Sequence, residues 1–157
     1  MRIGHGIDVH RFSDDASREM RLGLVRIEGV AGLVGHSDAD VVTHALIDAL
    51  LGGANLGDIG RHFPDSDPQF AGIASRTMLA EALHRVAAAG FRPISADVTI
   101  IAERPKLAPH MPAMSEELSV VLGCVVSVKA TTAEGLGALG RVEGIAATAV
   151  ALLEELS

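Results

Sequence analysis

The chain has 157 residues, of which 48% are hydrophobic and only 3% aromatic, and its formal net charge at pH 7 is -7. A chain of this length buries roughly 70% of the surface that its unfolded form exposes, so we predict a single domain over residues 1–157. The excess of acidic residues and the absence of Trp and Tyr argue against nucleic acid as a partner.

The cysteine content and the hydropathy pattern bear on location. Cys124 is the single cysteine and cannot form an intramolecular disulfide, which indicates a reducing, cytoplasmic setting. The most apolar stretch, residues 145–153, is far shorter than the ~20 residues that a membrane-spanning helix needs. We therefore expect no membrane partner and interpret this stretch as a buried helix. The high apolar content also suggests surface that is buried between subunits.

The first predicted element is a strand over residues 2–12. The apolar residues Ile3, Ile7 and Val9 occupy odd positions, while Asp8 and His10 occupy even positions. This is the period of a half-buried strand, and it places Asp8 and His10 on one face.

The next strong element is a helix over residues 39–51, for which Ser37 or Asp38 can provide the N-terminal cap. Residues spaced four apart share one side of a helix. One polar stripe on this otherwise apolar helix consists of Asp40, His44 and Asp48.

Alternating strands and helices continue along the chain. The remaining predictions are a weak strand over residues 21–27, a loop or short hairpin over 29–35, a mobile functional loop over 55–70, a helix over 73–89, a strand over 94–102, an irregular segment over 105–112, a helix over 113–122, a strand over 125–131, a glycine-rich loop over 133–140 and a last helix over 143–156. This order predicts a two-layer α/β (α+β) domain, with a mixed β-sheet and helices on one face.

A metal site is one interpretation of Asp8, His10 and His44. One carboxylate and two imidazoles on a strand face and a buried helix suit zinc, with a fourth position left for a substrate. The spacing alone leaves other interpretations open. Asp8 could cap a turn, His10 could be a hydrogen-bonded core histidine, and His44 could interact only with its neighbours on the helix.

A second polar cluster follows the strand over residues 125–131. Lys129, Thr131, Thr132 and Glu134 provide a cation, two hydroxyls and a carboxylate in quick succession. Such groups suit phosphate oxygens and a hard cation, although a solvated strand end has a similar composition.

Several short motifs occur along the chain. They are Gly-His-Gly-Ile-Asp-Val-His at 4–10, His-Ser-Asp-Ala-Asp at 36–40, Gly-Asp-Ile-Gly at 57–60, Phe-Pro-Asp-Ser-Asp at 63–67, Asp-Val-Thr-Ile-Ile-Ala at 97–102, Lys-Ala-Thr-Thr at 129–132, Gly-Arg at 140–141 and Glu-Gly-Ile-Ala at 143–146. In this order they resemble the family of 2-C-methyl-D-erythritol 2,4-cyclodiphosphate synthases. The resemblance extends over nearly the whole chain.

The resemblance implies two metal ions. Asp8, His10 and His44 would bind one Zn²⁺ per subunit, and Glu134 would bind Mg²⁺ or Mn²⁺ together with the substrate's diphosphate. Asp48 would orient a metal-bound histidine. The resemblance also implies a homotrimer with active sites between subunits.

The implied reaction is that of a phosphorus–oxygen lyase. The 2-phosphate of 4-diphosphocytidyl-2-C-methyl-D-erythritol 2-phosphate attacks its own β-phosphorus, and CMP and the cyclic diphosphate are released, in the methylerythritol phosphate route to isoprenoids. The side chains implied to contact this cytidine diphosphate substrate are His36, Ser37, Asp58, Gly60, Asp65, Ala102, Lys106, Leu107, Thr131, Thr132 and Arg141.

Two other functions fit the same residues. A zinc-dependent phosphatase or nucleotidase would use the open metal position to activate water. A non-catalytic oligomeric binding module would use the metal only to stabilise its fold. Two features depart from the family pattern. Ala138 stands where many members carry Phe, and residues 13–34 follow no pattern that we can assign.

Overall fold

The centre of the fold, in a computed structural model that describes residues 1–156, is a four-stranded mixed β-sheet with helices on one face. The elements are β1 (Arg2–Arg11), β2 (Glu19–Leu22), β3 (Val25–Ala31), α1 (Val41–Gly53), α2 (Ile59–His62), a 3₁₀ turn (Pro68–Phe70), α3 (Ser75–Ala88), β4 (Phe91–Ile101), α4 (Met111–Leu122), β5 (Val125–Thr131), α5 (Gly137–Gly140) and β6 (Gly144–Glu155). The predicted mixed α/β fold is confirmed.

The strand order of the main sheet is β1-β6-β4-β5. β6 is antiparallel to both of its neighbours, and β4 and β5 are parallel. The C-terminal ends of β1, β4 and β5 therefore lie at the same edge of the sheet. Asp8 and His10 lie near the end of β1, and the segments after β4 and β5 carry Ala102, Lys106, Leu107, Thr132 and Glu134.

Helix α1 lies directly on β1 because two glycines on one strand face leave room for it. A Cβ atom added at Gly4 would lie 1.8 Å from the carbonyl oxygen of Ala49, and one added at Gly6 would lie 2.0 Å from that of Ala45. Side chains at these positions would force the helix away from the sheet. The next residues on the same face of β1 are Asp8 and His10, which consequently lie opposite the start of α1.

The other face of the sheet is largely exposed and carries several apolar side chains beside polar ones such as the Lys129–Asp97 ion pair. The odd-numbered side chains of β1 point to this face, and Ile7 and Val9 are each 62% exposed. Val150 and Val125 lie on the same face through the register of β6, β4 and β5, and they are exposed as well. The alternation in β1 was predicted correctly, but the polar even-numbered face is the one that α1 covers.

Asp40, not Ser37 or Asp38, caps α1. This fully buried carboxylate accepts hydrogen bonds from the backbone N–H of Thr43 at 3.0 Å and from its hydroxyl at 2.6 Å. It also accepts from the N–H groups of Gly23 and Leu24, at 2.8 and 2.7 Å. Both turn residues have positive φ, so residues 21–27, predicted as one strand, contain the end of β2, the two-residue turn and the start of β3.

The predicted last helix over residues 143–156 is wrong, because this segment is the central strand β6. β6 pairs with β1 and β4 and carries apolar side chains on both faces, including the exposed Val150, so the segment is apolar without alternation. An apolar run of this length does not distinguish a buried strand from a buried helix. Among residues 1–156, no helix is long and apolar enough to cross a membrane.

The other predicted elements differ less from the structure. The predicted loop over residues 55–70 contains α2 and the 3₁₀ turn, the glycine-rich loop contains α5, and β3 extends into the predicted loop at 29–35. The strand predicted over residues 125–131 is confirmed without change.

Replacing Gly6 by Ala tests the close approach of α1 and β1. We expect Gly6→Ala to lower the free energy of unfolding by about 1–3 kcal/mol, because the added methyl group would overlap the backbone of α1. Gly52→Ala is the control, since Gly52 is in the same helix and has no atom within 4 Å of an added Cβ. That change should stabilise the protein by about 0.5–1 kcal/mol. Denaturant unfolding of both variants measures the difference, and equal stabilities would contradict this account.

Candidate functional site

Three potential ligand atoms meet between β1 and α1. Asp8 Oδ2 lies 2.9 Å from His10 Nε2 and 3.0 Å from His44 Nδ1, and the two ring nitrogens are 3.3 Å apart. An ion that holds ligands tetrahedrally at ~2.05 Å separates the ligand atoms by about 3.3 Å. The triangle therefore matches one face of a tetrahedral site, and its donor set fits a divalent metal ion with one position open.

Hydrogen bonds on the far side of each imidazole fix its orientation. His10 Nδ1 lies 2.6 Å from the carbonyl oxygen of Val34, which can only accept, so we assign the proton to Nδ1 and the lone pair to Nε2. His44 Nε2 lies 3.1 Å from the hydroxyls of both Ser37 and Ser75. Partners of this kind direct a histidine lone pair towards a metal.

The charges of the triangle favour an ionised carboxylate. Burial opposes the charged form of Asp8, but hydrogen bonds and positive charge from His10 and His44 in their protonated forms outweigh burial and hold the pKa of this carboxyl well below its usual range. Burial likewise opposes the charged form of His10, but the hydrogen bond and the negative charge of Asp8 outweigh it and raise the pKa of His10. Asp8 is therefore in the charge state that a metal ligand requires.

Ser75 and Asp38 orient the imidazole of His44 through Nε2, the ring nitrogen that faces away from Asp8. This role was not predicted from the sequence. The hydroxyl of Ser75, the first residue of α3, is fully buried and donates to Asp38 Oδ1, while its backbone N–H donates to Asp38 Oδ2 at 2.9 Å. The lone pair of the hydroxyl is thus free to accept from His44 Nε2. Serine is so common at helix starts that its position gave no signal.

Asp48 was predicted to orient a metal-bound histidine, and the structure shows a different contact. Its Oδ1 accepts a hydrogen bond of 2.7 Å from the backbone N–H of Ile59, the first residue of α2. Burial raises the pKa of Asp48, and that hydrogen bond only partly offsets the effect. Asp48 therefore fixes α2 beside the metal triangle.

A cleft of ≈ 290 Å³ opens beside the three ligand atoms. Four of the residues implied to contact substrate line it together with the triangle, namely His36, Ser37, Gly60 and Asp65. Asp58 lies at the N-terminus of α2, where its side chain accepts from the N–H of Arg61 at 2.9 Å. The remaining wall is largely apolar and consists of Ile59, Phe63, Phe70, Ile73 and Met78.

Arg18 belongs to the segment for which the sequence showed no pattern, and it orders one side of the cleft. Its guanidinium donates to the carbonyl oxygens of Leu33, of Gly35 at 2.8 Å and of Ser37 at 2.6 Å. These three carbonyl groups belong to every second residue of segment 33–37. His36 therefore lies between two residues that Arg18 holds.

Six other predicted site residues follow or end β4 and β5, at the far end of the same sheet edge, namely Ala102, Lys106, Leu107, Thr131, Thr132 and Glu134. Arg141 follows α5 and lies near the start of β6, where Gly144 pairs with Arg11 of β1. Val9 and Thr131 lie in one row of the sheet, separated by three strand spacings, which is roughly 14 Å. Within one chain, the structure does not bring Glu134 to the metal triangle.

Local contacts organise this second group. The N–H of Ala102 donates to the carbonyl of Thr131 at 3.0 Å, and the hydroxyl of Thr132 donates to Glu134 Oε1 at 3.0 Å. Arg141 pairs with Glu143 at 2.7 Å. Hydroxyl and carboxylate oxygens of this kind fit a hard cation bound together with phosphates.

A mixed sheet whose edge carries a two-histidine, one-carboxylate triangle beside a polar cleft defines an α/β protein with a candidate metal centre. Residues 1–154 match the YgbB family, and the chain belongs to this family. A relative from Bordetella avium (strain 197N), named 2-C-methyl-D-erythritol 2,4-cyclodiphosphate synthase, is 54% identical over 155 residues, covering 97% of this chain and 94% of the relative. The resemblance drawn from the motifs is thereby confirmed.

Solved structures agree with this assignment. The bifunctional IspDF from Campylobacter jejuni superposes with a TM-score of 0.93 and 39% identity over 99% of this chain, which spans 42% of that longer protein. A structure of 2C-methyl-D-erythritol-2,4-cyclodiphosphate synthase in a CDP-bound form superposes with a TM-score of 0.87 and 38% identity, covering 98% of this chain and 100% of the other.

Ser75→Ala tests the support of His44. We expect this variant to bind Zn²⁺ about 10- to 100-fold more weakly, because one acceptor that orients the imidazole is removed. Ser119→Ala is the control, since the Ser119 hydroxyl accepts from Val126 N–H at 2.9 Å away from the metal triangle. Titration of the metal-free proteins in competition with a chelator gives the affinities. Unchanged affinity in Ser75→Ala would show that Ser75 does not orient the ligand.

Proposed function

We propose that this protein is a 2-C-methyl-D-erythritol 2,4-cyclodiphosphate synthase, a phosphorus–oxygen lyase that releases CMP from 4-diphosphocytidyl-2-C-methyl-D-erythritol 2-phosphate. The observation that carries the proposal is the Asp8, His10 and His44 triangle beside a polar cleft, in a chain 54% identical to a relative of that name. The relative solved in a CDP-bound form supports a cytidine diphosphate substrate.

Two metal ions complete the proposed site. Asp8, His10 and His44 would hold Zn²⁺, and Glu134 with Thr132 would hold Mg²⁺ or Mn²⁺ through hard oxygen ligands. When bound, such ions polarise phosphate oxygens and neutralise the negative charge that develops during phosphoryl transfer. The protein residues then have the task of binding and orienting the substrate.

The lining of the cleft fits an intramolecular attack. The nucleophile is the substrate's own phosphate, so no nucleophilic side chain is needed, and catalysis depends on holding the two phosphates in the reactive geometry. His36, Ser37 and Asp65 offer polar contacts for the methylerythritol phosphate end. The apolar wall around Phe63 and Phe70, whose rings meet edge-on at 5.4 Å, limits water beside the phosphates. This favours cyclisation over the hydrolysis that a phosphatase would catalyse.

We also propose that the active protein is a homotrimer with its sites between subunits. Val9, between the ligands Asp8 and His10, and Thr131, three residues before Glu134, lie roughly 14 Å apart at opposite sides of the sheet, which exceeds the reach of a diphosphate. A neighbouring copy can place its Glu134 beside the triangle of the first. The exposed apolar side chains Ile3, Ile7 and Val9 on this sheet face support the assembly, because exposed apolar patches mark protein interfaces.

His44→Ala tests the metal and the reaction together. The variant should lose its tightly bound zinc and its activity, because one of three protein ligands is removed. His84→Ala, at an exposed position on α3, should keep both. Metal analysis and phosphorus NMR of the products give the result. Full zinc occupancy in His44→Ala would refute the ligand assignment, and inorganic phosphate as the wild-type product would favour a phosphatase.

Ile7→Glu tests the assembly. Ile7 is 62% exposed on the sheet face, and a buried unpaired carboxylate there would strongly disfavour association. We expect a monomer that retains zinc but has lost cyclisation. Val120→Glu, at a 74% exposed position on α4, should remain trimeric and active. Light scattering reports the mass, and a fully active Ile7→Glu monomer would contradict a site shared between subunits.

A further inference from the structure

The backbone of Glu134 adopts a conformation that most residues avoid. Its φ is 52°, in the left-handed region, and the following Gly135 has φ of 73°. For a residue with a Cβ atom this conformation is uncommon and persists only where surrounding contacts enforce it. The residue implied to bind the second metal ion therefore depends on contacts that hold its backbone.

Glu103 provides two of these contacts. Its Oε1 accepts hydrogen bonds from the N–H groups of Ala133 at 3.0 Å and of Gly135 at 3.1 Å. Both N–H groups that flank Glu134 thus converge on one carboxylate oxygen. Successive backbone N–H groups converge on one anion when a residue between them is left-handed, so this pair of hydrogen bonds supports the conformation of Glu134.

The side chain of Glu134 is held separately. The Thr132 hydroxyl accepts from the N–H of Glu134 at 3.2 Å and donates to its Oε1 at 3.0 Å. Glu103 fixes the backbone and Thr132 fixes the carboxylate.

Glu103 also belongs to the segment that follows β4. Its neighbour Ala102 donates a backbone hydrogen bond of 3.0 Å to Thr131, and Lys106 and Leu107 lie just beyond. By the family resemblance, these neighbours contact the cytidine nucleotide. One half-buried side chain thus joins the nucleotide segment to the loop that presents Glu134.

We propose that Glu103 is a positioning residue that fixes Glu134 for the second divalent cation and couples binding of the cation to binding of the cytidine nucleotide. This role rests on the proposed function of Glu134. Because such coupling is reciprocal, it can be measured as the effect of the cation on nucleotide affinity.

Two substitutions separate the hydrogen bonds from the charge. Glu103→Gln loses the charge but keeps a side-chain oxygen at the same distance from the backbone. Glu103→Asp keeps the charge, but its shorter side chain moves the acceptor away from the two N–H groups. The matched controls are Glu117→Gln and Glu117→Asp, since Glu117 forms an ion pair with Arg76 at an exposed position on α4. Glu134→Gln shows how strongly Mg²⁺ affects CDP affinity when the carboxylate ligand of the cation is lost.

The measurement is calorimetric titration of each zinc-loaded protein with CDP, in the absence and in the presence of Mg²⁺. We expect Mg²⁺ to strengthen CDP binding equally in the wild type, in Glu103→Gln and in both Glu117 variants. In Glu103→Asp the strengthening should fall about tenfold, towards the value of Glu134→Gln, because two hydrogen bonds are lost. Zinc content and thermal unfolding show that each variant is folded, and Glu103→Ala replaces Glu103→Asp if the latter is not.

The outcomes are distinct. A wild-type response in both Glu103 variants would overturn the proposal, and so would a loss in Glu103→Gln equal to that in Glu103→Asp, because the hydrogen bonds would then not be the cause. Failure of the proposed function would appear differently. In that case the wild type would not cyclise the cytidylylated substrate, whereas the dependence of CDP binding on Mg²⁺ and on residue 103 could still be measured.

Discussion

The close contact between the backbones of β1 and α1 at Gly4 and Gly6 determines the position of the metal triangle. The helix runs antiparallel to the strand, with Ala49 over Gly4 and Ala45 over Gly6, so His44 comes opposite the next residue on that face, Asp8. A triangle with edges of 2.9 to 3.3 Å does not tolerate a shift of the helix by even one methyl group. The glycines of the first motif therefore serve the metal site through packing.

Buried polar groups hold the start of α1 in the same place. Asp40 has no exposed surface, and its carboxylate accepts four hydrogen bonds from the hairpin turn and the first turn of α1. A buried carboxylate is tolerated only when it is satisfied in this way, and removal of its partners would leave an expensive unpaired charge. Ser75 and Asp38 bring the start of α3 to the same point. The metal triangle thus lies where two helix starts and one strand end converge.

The part of this site that the sequence predicted is the part that follows local periodicity. Period two placed Asp8 and His10 on one face, and a helical stripe supplied His44. The contacts of Arg18, Ser75 and Glu103 were missed because they join residues that are 15 to 37 positions apart and leave no periodic signal. Their partners are mostly backbone groups, which every residue has. Only the folded chain shows which carbonyl or N–H group such a side chain reaches.

The last helix was predicted wrongly, and the exposure of the odd-numbered face of β1 was not predicted, because both depend on contacts outside the local sequence. Residues 144–155 are rich in alanine, which favours helices, but their place between β1 and β4 outweighs that local preference. Conversely, Ile3, Ile7 and Val9 alternate as a buried face would, yet they are exposed in the structure of residues 1–156.

Both features depend on contacts beyond the local sequence, the first on pairing within the sheet and the second on the proposed neighbouring copy. An apolar face of this kind carries a solvation cost of about 25 cal/mol for each Å² left in water. Assembly would remove this cost and would, in the same step, bring Glu134 of one copy to the metal triangle of the next. The stability of the assembly and the completeness of the active site would then depend on one surface.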